Sequence, residues 1–96
     1  MPAYLVAGLE WKDAVIANEY RDRLGPTLEK YGGKTLVAGK PEMLEGNWNP
    51  RRVVVIEFPS MDHLQKWYHS VEYAPLLQLR QEGSTGDLLA VQYTPG

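Results

Sequence analysis

The chain has 96 residues and a mass of 10.9 kDa, which fits a single domain spanning residues 1–96. Ten basic and twelve acidic residues give a net charge of −2, and the basic residues do not cluster beyond Arg51-Arg52, which argues against nucleic-acid binding. The absence of cysteine excludes disulfides and thiol chemistry. No segment resembles a signal peptide or a membrane span, so we expect a cytoplasmic protein without membrane contact.

The first half of the chain predicts a strand, a helix and a second strand. Ala3–Glu10 is apolar at both alternating sets of positions, which is typical of a strand covered on both faces. Asp13–Tyr31 carries an apolar residue at every fourth position and predicts a helix, in which Gly25-Pro26 predicts either a kink or a restart. Gly32-Gly33 ends this helix, and Lys34–Gly39 follows as a short strand.

The second half predicts a strand, two helices and a final strand. Arg52–Phe58 contains consecutive β-branched residues and is the strongest strand signal in the chain. Ser60 is a suitable N-cap for the next helix, and a second short helix is expected over residues 72–82. Gly83 to Gly86 predicts a turn, and Asp87–Tyr93 predicts the last strand.

This order of elements predicts an α+β fold, a ferredoxin-like sandwich with a four-stranded antiparallel sheet and helices on one face. Right-handed crossovers place the first and third strands at the centre of the sheet. The uncovered face of the sheet is then largely apolar whichever alternating set forms it, so we expect a homodimer through that open sheet face. The alternative is a monomer whose open face is covered by the loop 40–50 and the C-terminal tail.

Several motifs together point to a known family. In chain order they are Pro26-Thr27-Leu28, Tyr31-Gly32-Gly33, Leu44-Glu45-Gly46 with Trp48, Arg52 to Ser60, Trp67-Tyr68, Ser70, Glu72-Tyr73 and Leu79-Arg80. The chain resembles the domain of unknown function numbered 1330, within the dimeric α/β-barrel superfamily. The resemblance implies the ferredoxin-like fold and the homodimer. It implies no particular reaction, since superfamily members include cofactor-free monooxygenases, lactone isomerases and haem-dependent enzymes.

Three ionisable residues are candidates for catalysis: His69, Glu57 and Arg80. His69 lies at a predicted helix end and could act as a general base near neutral pH, or favour the helix dipole without a catalytic role. Glu57 lies in the most apolar strand and needs a partner there, for which Arg80, Arg51 or Arg52 is suitable. If Glu57 is buried and partly unpaired, it could serve as acid or base; a structural ion pair, or exposure at the strand end, is the alternative. The other histidine, His63, is six residues from His69, a spacing that does not predict a metal site.

Aromatic residues with polar tips suggest a pocket for a small, mostly apolar ligand, although core packing explains them equally well. The candidates between sheet and helices are Tyr4, Tyr20, Tyr31, Trp67 and Tyr68. Trp48 belongs to a loop or small hairpin over Pro41–Asn49, where it would cover the pocket mouth or pack across the dimer.

Two functions remain open on the sequence alone. The first is an enzyme that acts on a small organic molecule by cofactor-independent proton transfer or oxygenase-like chemistry, with no cofactor and no metal. The second is a ligand-binding or structural dimerisation module without catalysis. A cavity that converges on an ionisable side chain would favour the first function.

Overall fold

A computed structural model describes residues 1–95 and confirms the predicted order of elements. The strands and helices are β1 (Ala3–Trp11), α1 (Ala14–Lys30), β2 (Lys34–Gly39), β3 (Arg52–Phe58), α2 (Met61–Tyr68), α3 (Ala74–Gly83) and β4 (Ser84–Gln92). The four strands form one antiparallel sheet in the order β2-β3-β1-β4, so β1 and β3 are central, as predicted. The chain therefore has the ferredoxin-like fold.

The register of the sheet assigns each strand residue to one of two faces. Leu5 pairs with Ile56 of β3, and Ala7 pairs with both Val54 of β3 and Leu88 of β4. These residues lie on the side that the helices cover, which we call the helix face. The opposite side is the open face, and it carries Tyr4, Val6, Gly8, Val37, Val53, Val55, Glu57, Leu89 and Val91.

Helix α1 is the longest helix, with 17 residues, and it passes through Pro26 without a restart. The Asp13 side chain accepts hydrogen bonds from the backbone N–H groups of Val15 and Ile16, which caps the N-terminus. At the other end, Gly33 N–H donates to the Leu28 carbonyl at 2.8 Å, while Gly32 adopts a φ of +77°. None of the helices in residues 1–95 is both long and apolar enough to cross a bilayer.

The two short helices confirm one predicted cap and correct two predicted boundaries. Ser60 caps α2 by accepting a hydrogen bond from His63 N–H. Helix α3 begins at Ala74, because residues 71–73 form a turn in which the Ser70 hydroxyl accepts from Tyr73 N–H. The predicted turn from Gly83 to Gly86 is wrong, since β4 begins directly at Ser84.

This early start of β4 depends on contacts with β1. Trp11, the last residue of β1, pairs with Ser84, and the backbone N–H of Lys12 donates to the Gly83 carbonyl at 2.7 Å. Both strands are therefore longer than the sequence pattern indicates.

The main core lies where α2 and α3 cover the sheet. Its largest fully buried side chains are Phe58, Leu64, Trp67, Tyr73 and Leu76. The Phe58 and Trp67 rings lie 5.4 Å apart, and the Trp67 and Tyr73 rings lie 4.1 Å apart. Large aromatic side chains therefore fill this end of the space between the sheet and the helices.

Candidate functional site

A cavity of about 140 Å³ occupies the other end of this space, between the helix face and helices α1 and α3. All four strands contribute to its lining, which is mainly apolar. The lining residues are Leu5, Ala7, Leu9, Trp11, Tyr20, Arg21, Leu24, Thr35, Ala38, Arg52, Val54, Ile56, Arg80 and Leu88. We call this space the interlayer cavity.

Short side chains on the sheet help to keep the interlayer cavity open. Ala7 lies at the centre of its floor, between Val54 and Leu88 on the neighbouring strands. Thr35 and Ala38 of the edge strand β2 continue the floor beneath α1. Helix α1 packs mainly against α3 rather than against the sheet, so this side of the interlayer space is not filled by helix side chains.

Three polar side chains form a hydrogen-bonded row at the helix side of the cavity. Arg80 of α3 is only 7% exposed, and its Nε donates to the Tyr73 hydroxyl at 3.3 Å. The Tyr73 hydroxyl lies 2.8 Å from the Tyr20 hydroxyl. Either hydroxyl could donate in this pair. We assign Tyr73 as the donor and Tyr20 as the acceptor, because Arg80 can only donate and the proton of the fully buried Tyr73 hydroxyl needs an acceptor.

This arrangement leaves the Tyr20 hydroxyl proton free to donate into the interlayer cavity, which Tyr20 lines. Burial raises the pKa of Tyr20 above its ordinary value, although the Arg80 guanidinium opposes the increase. Tyr20 therefore stays protonated at neutral pH. The cavity thus presents hydrogen-bond donors from Tyr20 and Arg80 against an apolar floor.

The three residues suggested for catalysis lie in three different places. Arg80 lines the interlayer cavity, whereas Glu57 lies on the open face of the sheet. His69 is the exposed C-cap residue of α2, and it borders a separate shallow groove with Tyr68. The structure therefore does not bring these three side chains together into one site.

The expected arginine partner of Glu57 is wrong. The Tyr4 hydroxyl donates to Glu57 at 3.1 Å, because Tyr4 and Glu57 are paired directly on the open face. This hydrogen bond raises the pKa of Tyr4. Arg80 lies on the other side of the sheet, and Arg51 and Arg52 form no ion pair with Glu57.

The remaining histidine has a local partner. His63 Nδ1 lies 2.6 Å from the hydroxyl of Ser60, the residue that caps the same helix. Within residues 1–95, no three His, Asp or Glu side chains are grouped closely enough to hold a metal ion.

Of the six aromatic residues suggested as ligand contacts, Tyr20 lines the interlayer cavity. Trp67 is fully buried in the main core, where its Nε1 donates to Thr27 at 3.1 Å. Tyr31 donates to Glu72 at 2.8 Å, on the outside of the helical layer. Tyr4 lies on the open face and Tyr68 in the groove beside His69. The suggested aromatic residues therefore lie in several different environments and do not line one pocket.

Trp48 lies against the open face rather than over the interlayer cavity. Its ring lies directly above Gly8 of β1, so close that a Cβ atom at Gly8 would be only 2.3 Å from it. Pro50 packs beside it, and the Trp48 side chain remains 49% exposed. The loop therefore covers one part of the open face and leaves the rest uncovered.

Sequence reasoning missed two aromatic residues that build the site. Trp11 continues the buried alternation of β1 and places its ring 5.3 Å from that of Tyr20. Tyr73 connects Tyr20 to Arg80. The separation of seven residues between Tyr73 and Arg80, which places both on one side of a helical segment, was the available signal.

Comparison with known proteins agrees with this fold. A solved protein of unknown function from Rhodopseudomonas palustris has a TM-score of 0.76 and 21% identity, covering 99% of this chain and 84% of its own. A dimeric protein of unknown function with a ferredoxin-like fold, from Bacteroides fragilis, has a TM-score of 0.62 and 13% identity, with coverage of 96% and 95%.

A third similar structure is SnoaB, a cofactor-independent oxygenase from Streptomyces nogalater. It has a TM-score of 0.58 and 12% identity, covering 99% of this chain and 95% of its own. The search among curated proteins found no match. The sequence model of one family, described as a domain of unknown function, matches residues 2–94. The chain therefore belongs to the family of the domain of unknown function DUF1330.

Proposed function

We propose that this protein is a homodimer in which each subunit binds one small organic molecule in the interlayer cavity. The observation that carries the proposal is the cavity itself, with an apolar floor and two convergent hydrogen-bond donors, Arg80 and Tyr20. Pockets with a mainly apolar lining and a few placed polar groups are typical of small-molecule sites. A buried arginine beside a mainly apolar cavity favours ligand binding over a purely structural role.

The open face supports the dimer. Val37, Leu89 and Val91 are 54%, 52% and 47% exposed, although they lie on a sheet face with Val6 and Val55 between them. Each such side chain would contribute about 1.5–3 kcal/mol if it were buried completely. A second copy can cover this surface by two-fold pairing of the two sheets. The Bacteroides fragilis protein, which shares the fold, is described as dimeric.

The chemistry of the interlayer cavity favours binding and polarisation of a ligand oxygen. Its lining contains no carboxylate and no imidazole, so it has no side chain suited to accept a proton near neutral pH. The donors can polarise a carbonyl or stabilise a developing negative charge on oxygen. Oxygenase-like chemistry without a cofactor, as named for the Streptomyces nogalater protein, is the enzymatic form of this proposal. A non-catalytic ligand-binding protein is the alternative form.

The binding proposal is tested by filling the interlayer cavity. Ala7→Leu places three additional carbon atoms into the cavity, whereas Val6→Leu introduces the same side chain, with one additional carbon atom, on the neighbouring residue that faces the other side. Benzyl alcohol, a neutral single-ring probe, is titrated into each protein, and binding is followed by NMR chemical shifts. We expect binding to the wild type and to Val6→Leu and loss of binding in Ala7→Leu. Equal binding to all three proteins would contradict the proposed site.

A further inference from the structure

We propose that the natural ligand of the interlayer cavity is a small organic anion, a carboxylate carried on an apolar body about the size of one ring. This inference rests on the proposed function and names the chemical class of its ligand. It depends on four features of the cavity. These are the buried positive charge of Arg80, the hydrogen-bond donors of Arg80 and Tyr20, a lining with basic but no acidic residues, and a limited volume.

The first feature is the charge of Arg80. Arg80 forms no ion pair with any carboxylate in residues 1–95, although its side chain is more than nine-tenths buried. Its Nε donates to the uncharged Tyr73 hydroxyl, and its other polar neighbour, the Tyr20 hydroxyl, is also uncharged. A buried charge without a counterion is costly, and a ligand carboxylate would offset that cost.

The second feature is the direction of the hydrogen bonds. No fully buried side-chain nitrogen or oxygen in the described part of the chain lacks a partner, while Tyr73 occupies only the Nε of Arg80. The two terminal amino groups of Arg80 are therefore not fully buried without a partner, and Arg80 lines the cavity. Tyr20 also donates into the cavity, so both groups require an acceptor. A carboxylate provides two acceptor oxygens in the geometry that a guanidinium prefers.

The third feature is the charge around the cavity. The lining contains Arg21 and Arg52 in addition to Arg80, and it contains no acidic residue. Arg21 has an uncharged partner, Asn18, at 3.3 Å, and neither Arg21 nor Arg52 forms an ion pair within residues 1–95. The cavity is thus positive although the whole chain has a net charge of −2. Such a local contrast attracts small anions.

The fourth feature is the size and character of the floor. Leu5, Leu9, Val54, Ile56 and Leu88 form an apolar surface beside the Trp11 ring. An apolar cavity of about 150 Å³ is large enough for benzene, and the interlayer cavity has a volume of about 140 Å³. Benzoate therefore combines the carboxylate and the ring size that the cavity accommodates.

The experiment compares benzoate with benzyl alcohol, which has the same ring and no charge. Both probes are titrated into the wild type, into Arg80→Gln and into Arg23→Gln by isothermal titration calorimetry. Arg23 is the matched control, because it lies on α1 outside the cavity and pairs with Glu19 at the surface. We expect the wild type and Arg23→Gln to bind benzoate at least about tenfold more tightly than benzyl alcohol, and we expect this preference to disappear in Arg80→Gln.

The outcomes distinguish this inference from the proposed function. If benzyl alcohol binds as tightly as benzoate to the wild type, the anion inference is overturned while the proposed cavity function stands. If neither probe binds, both are overturned. If Arg80→Gln fails to fold, Arg52→Gln replaces it, since Arg52 lies at the same cavity and its side chain forms no ion pair within residues 1–95. A benzoate preference that Arg52→Gln leaves unchanged would then contradict the proposal.

Discussion

The two faces of the sheet use the same strands for different purposes. On the helix face, Ile56 and Phe58 are almost completely buried. The same face forms the floor of the interlayer cavity, to which the helices contribute Tyr20 and Arg80. On the open face, Leu89 and Val91 are about half exposed, and Trp48 covers only the region above Gly8. One face therefore supports the fold and the proposed ligand site, whereas the other is an apolar surface suited to a second copy.

The difference shows how much depends on the alternation of side chains along a strand. Val55 and Ile56 are adjacent, both are β-branched, and both lie in the central strand β3. Only the register places Ile56 against the helices and Val55 on the open face. A substitution at Ile56 should therefore mainly reduce the stability of the subunit, whereas one at Val55 should mainly affect the assembly of two subunits.

The largest effect is expected from Ile56→Lys. Ile56 is 2% exposed, and a lysine there would bury an unpaired charge or force the helices away from the sheet. We expect a loss of at least about 4 kcal/mol in the free energy of unfolding, comparable to the whole stability of many small domains. Urea denaturation followed by circular dichroism measures this loss. Val55→Lys is the control and should keep a cooperative transition; a loss as large as that of Ile56→Lys would contradict the assignment of the faces.

A smaller effect on stability, with a large effect on assembly, is expected from Leu89→Lys. The substitution places a charge on the exposed apolar surface, beside Val6 and in the edge strand β4. We expect the dimer dissociation constant to rise by about 100-fold or more, equivalent to about 2.7 kcal/mol, while the subunit stays folded. Sedimentation velocity measures the change. Val15→Lys, at a residue that is 77% exposed on α1, is the matched control and should remain dimeric. A dimer unaffected by Leu89→Lys would exclude the open face as the interface.

A moderate effect is expected from Gly8→Ala. The new methyl group would lie 2.3 Å from the Trp48 ring, so the loop that covers this part of the open face must move. We expect a loss of about 1–2 kcal/mol and a red shift of tryptophan fluorescence as the ring becomes more exposed. Gly25→Ala is the contrasting variant, since apart from its chain neighbours a Cβ there meets no atom within 4 Å, and it should leave the tryptophan fluorescence unchanged. Unchanged fluorescence in Gly8→Ala would show that Trp48 does not lie on Gly8.

The smallest effect is expected outside both faces, at Glu72. Hydrogen bonds from Lys30 and Tyr31 lower the pKa of this carboxyl to about 2 in the folded state, while an unfolded glutamate titrates near 4.3. Because the folded pKa is the lower one, the stabilisation is complete above about pH 5 and is lost as the pH falls toward 2. Glu72→Gln should lower the Tm slightly near neutral pH, and its difference from the wild type should decrease as the pH falls from about 5 toward 2. A difference independent of pH would contradict the ion pair with Lys30.

The sequence was sufficient to predict the elements that have local signals. Arg52–Phe58 is a run of β-branched and apolar residues, and Ser60 has the ordinary position of a helix cap, so both predictions are confirmed. The central positions of β1 and β3 followed from their apolar character on both sides. The start of β4 at Ser84 was missed, because it depends on pairing with Trp11, which is distant in the chain.

A pocket between the sheet and the helices was suggested by the sequence, but the position and most of the lining of the interlayer cavity could not be predicted, because its volume depends on side chains from all four strands and two helices. Arg80 and Tyr20 were recognised as candidates, but the link between them passes through Tyr73, for which the seven-residue separation from Arg80 is the one local signal and a weak one. Glu57 was expected to need an arginine because its strand is apolar. Its actual partner is Tyr4, and only the pairing of β1 with β3 identifies it.

The central claim is that the open face is completed by a second copy of the chain. Native mass spectrometry of the wild-type protein at micromolar concentration tests it most directly. The predicted result is a complex with twice the 10.9 kDa mass of the chain. A spectrum that contains only the single chain would contradict the claim.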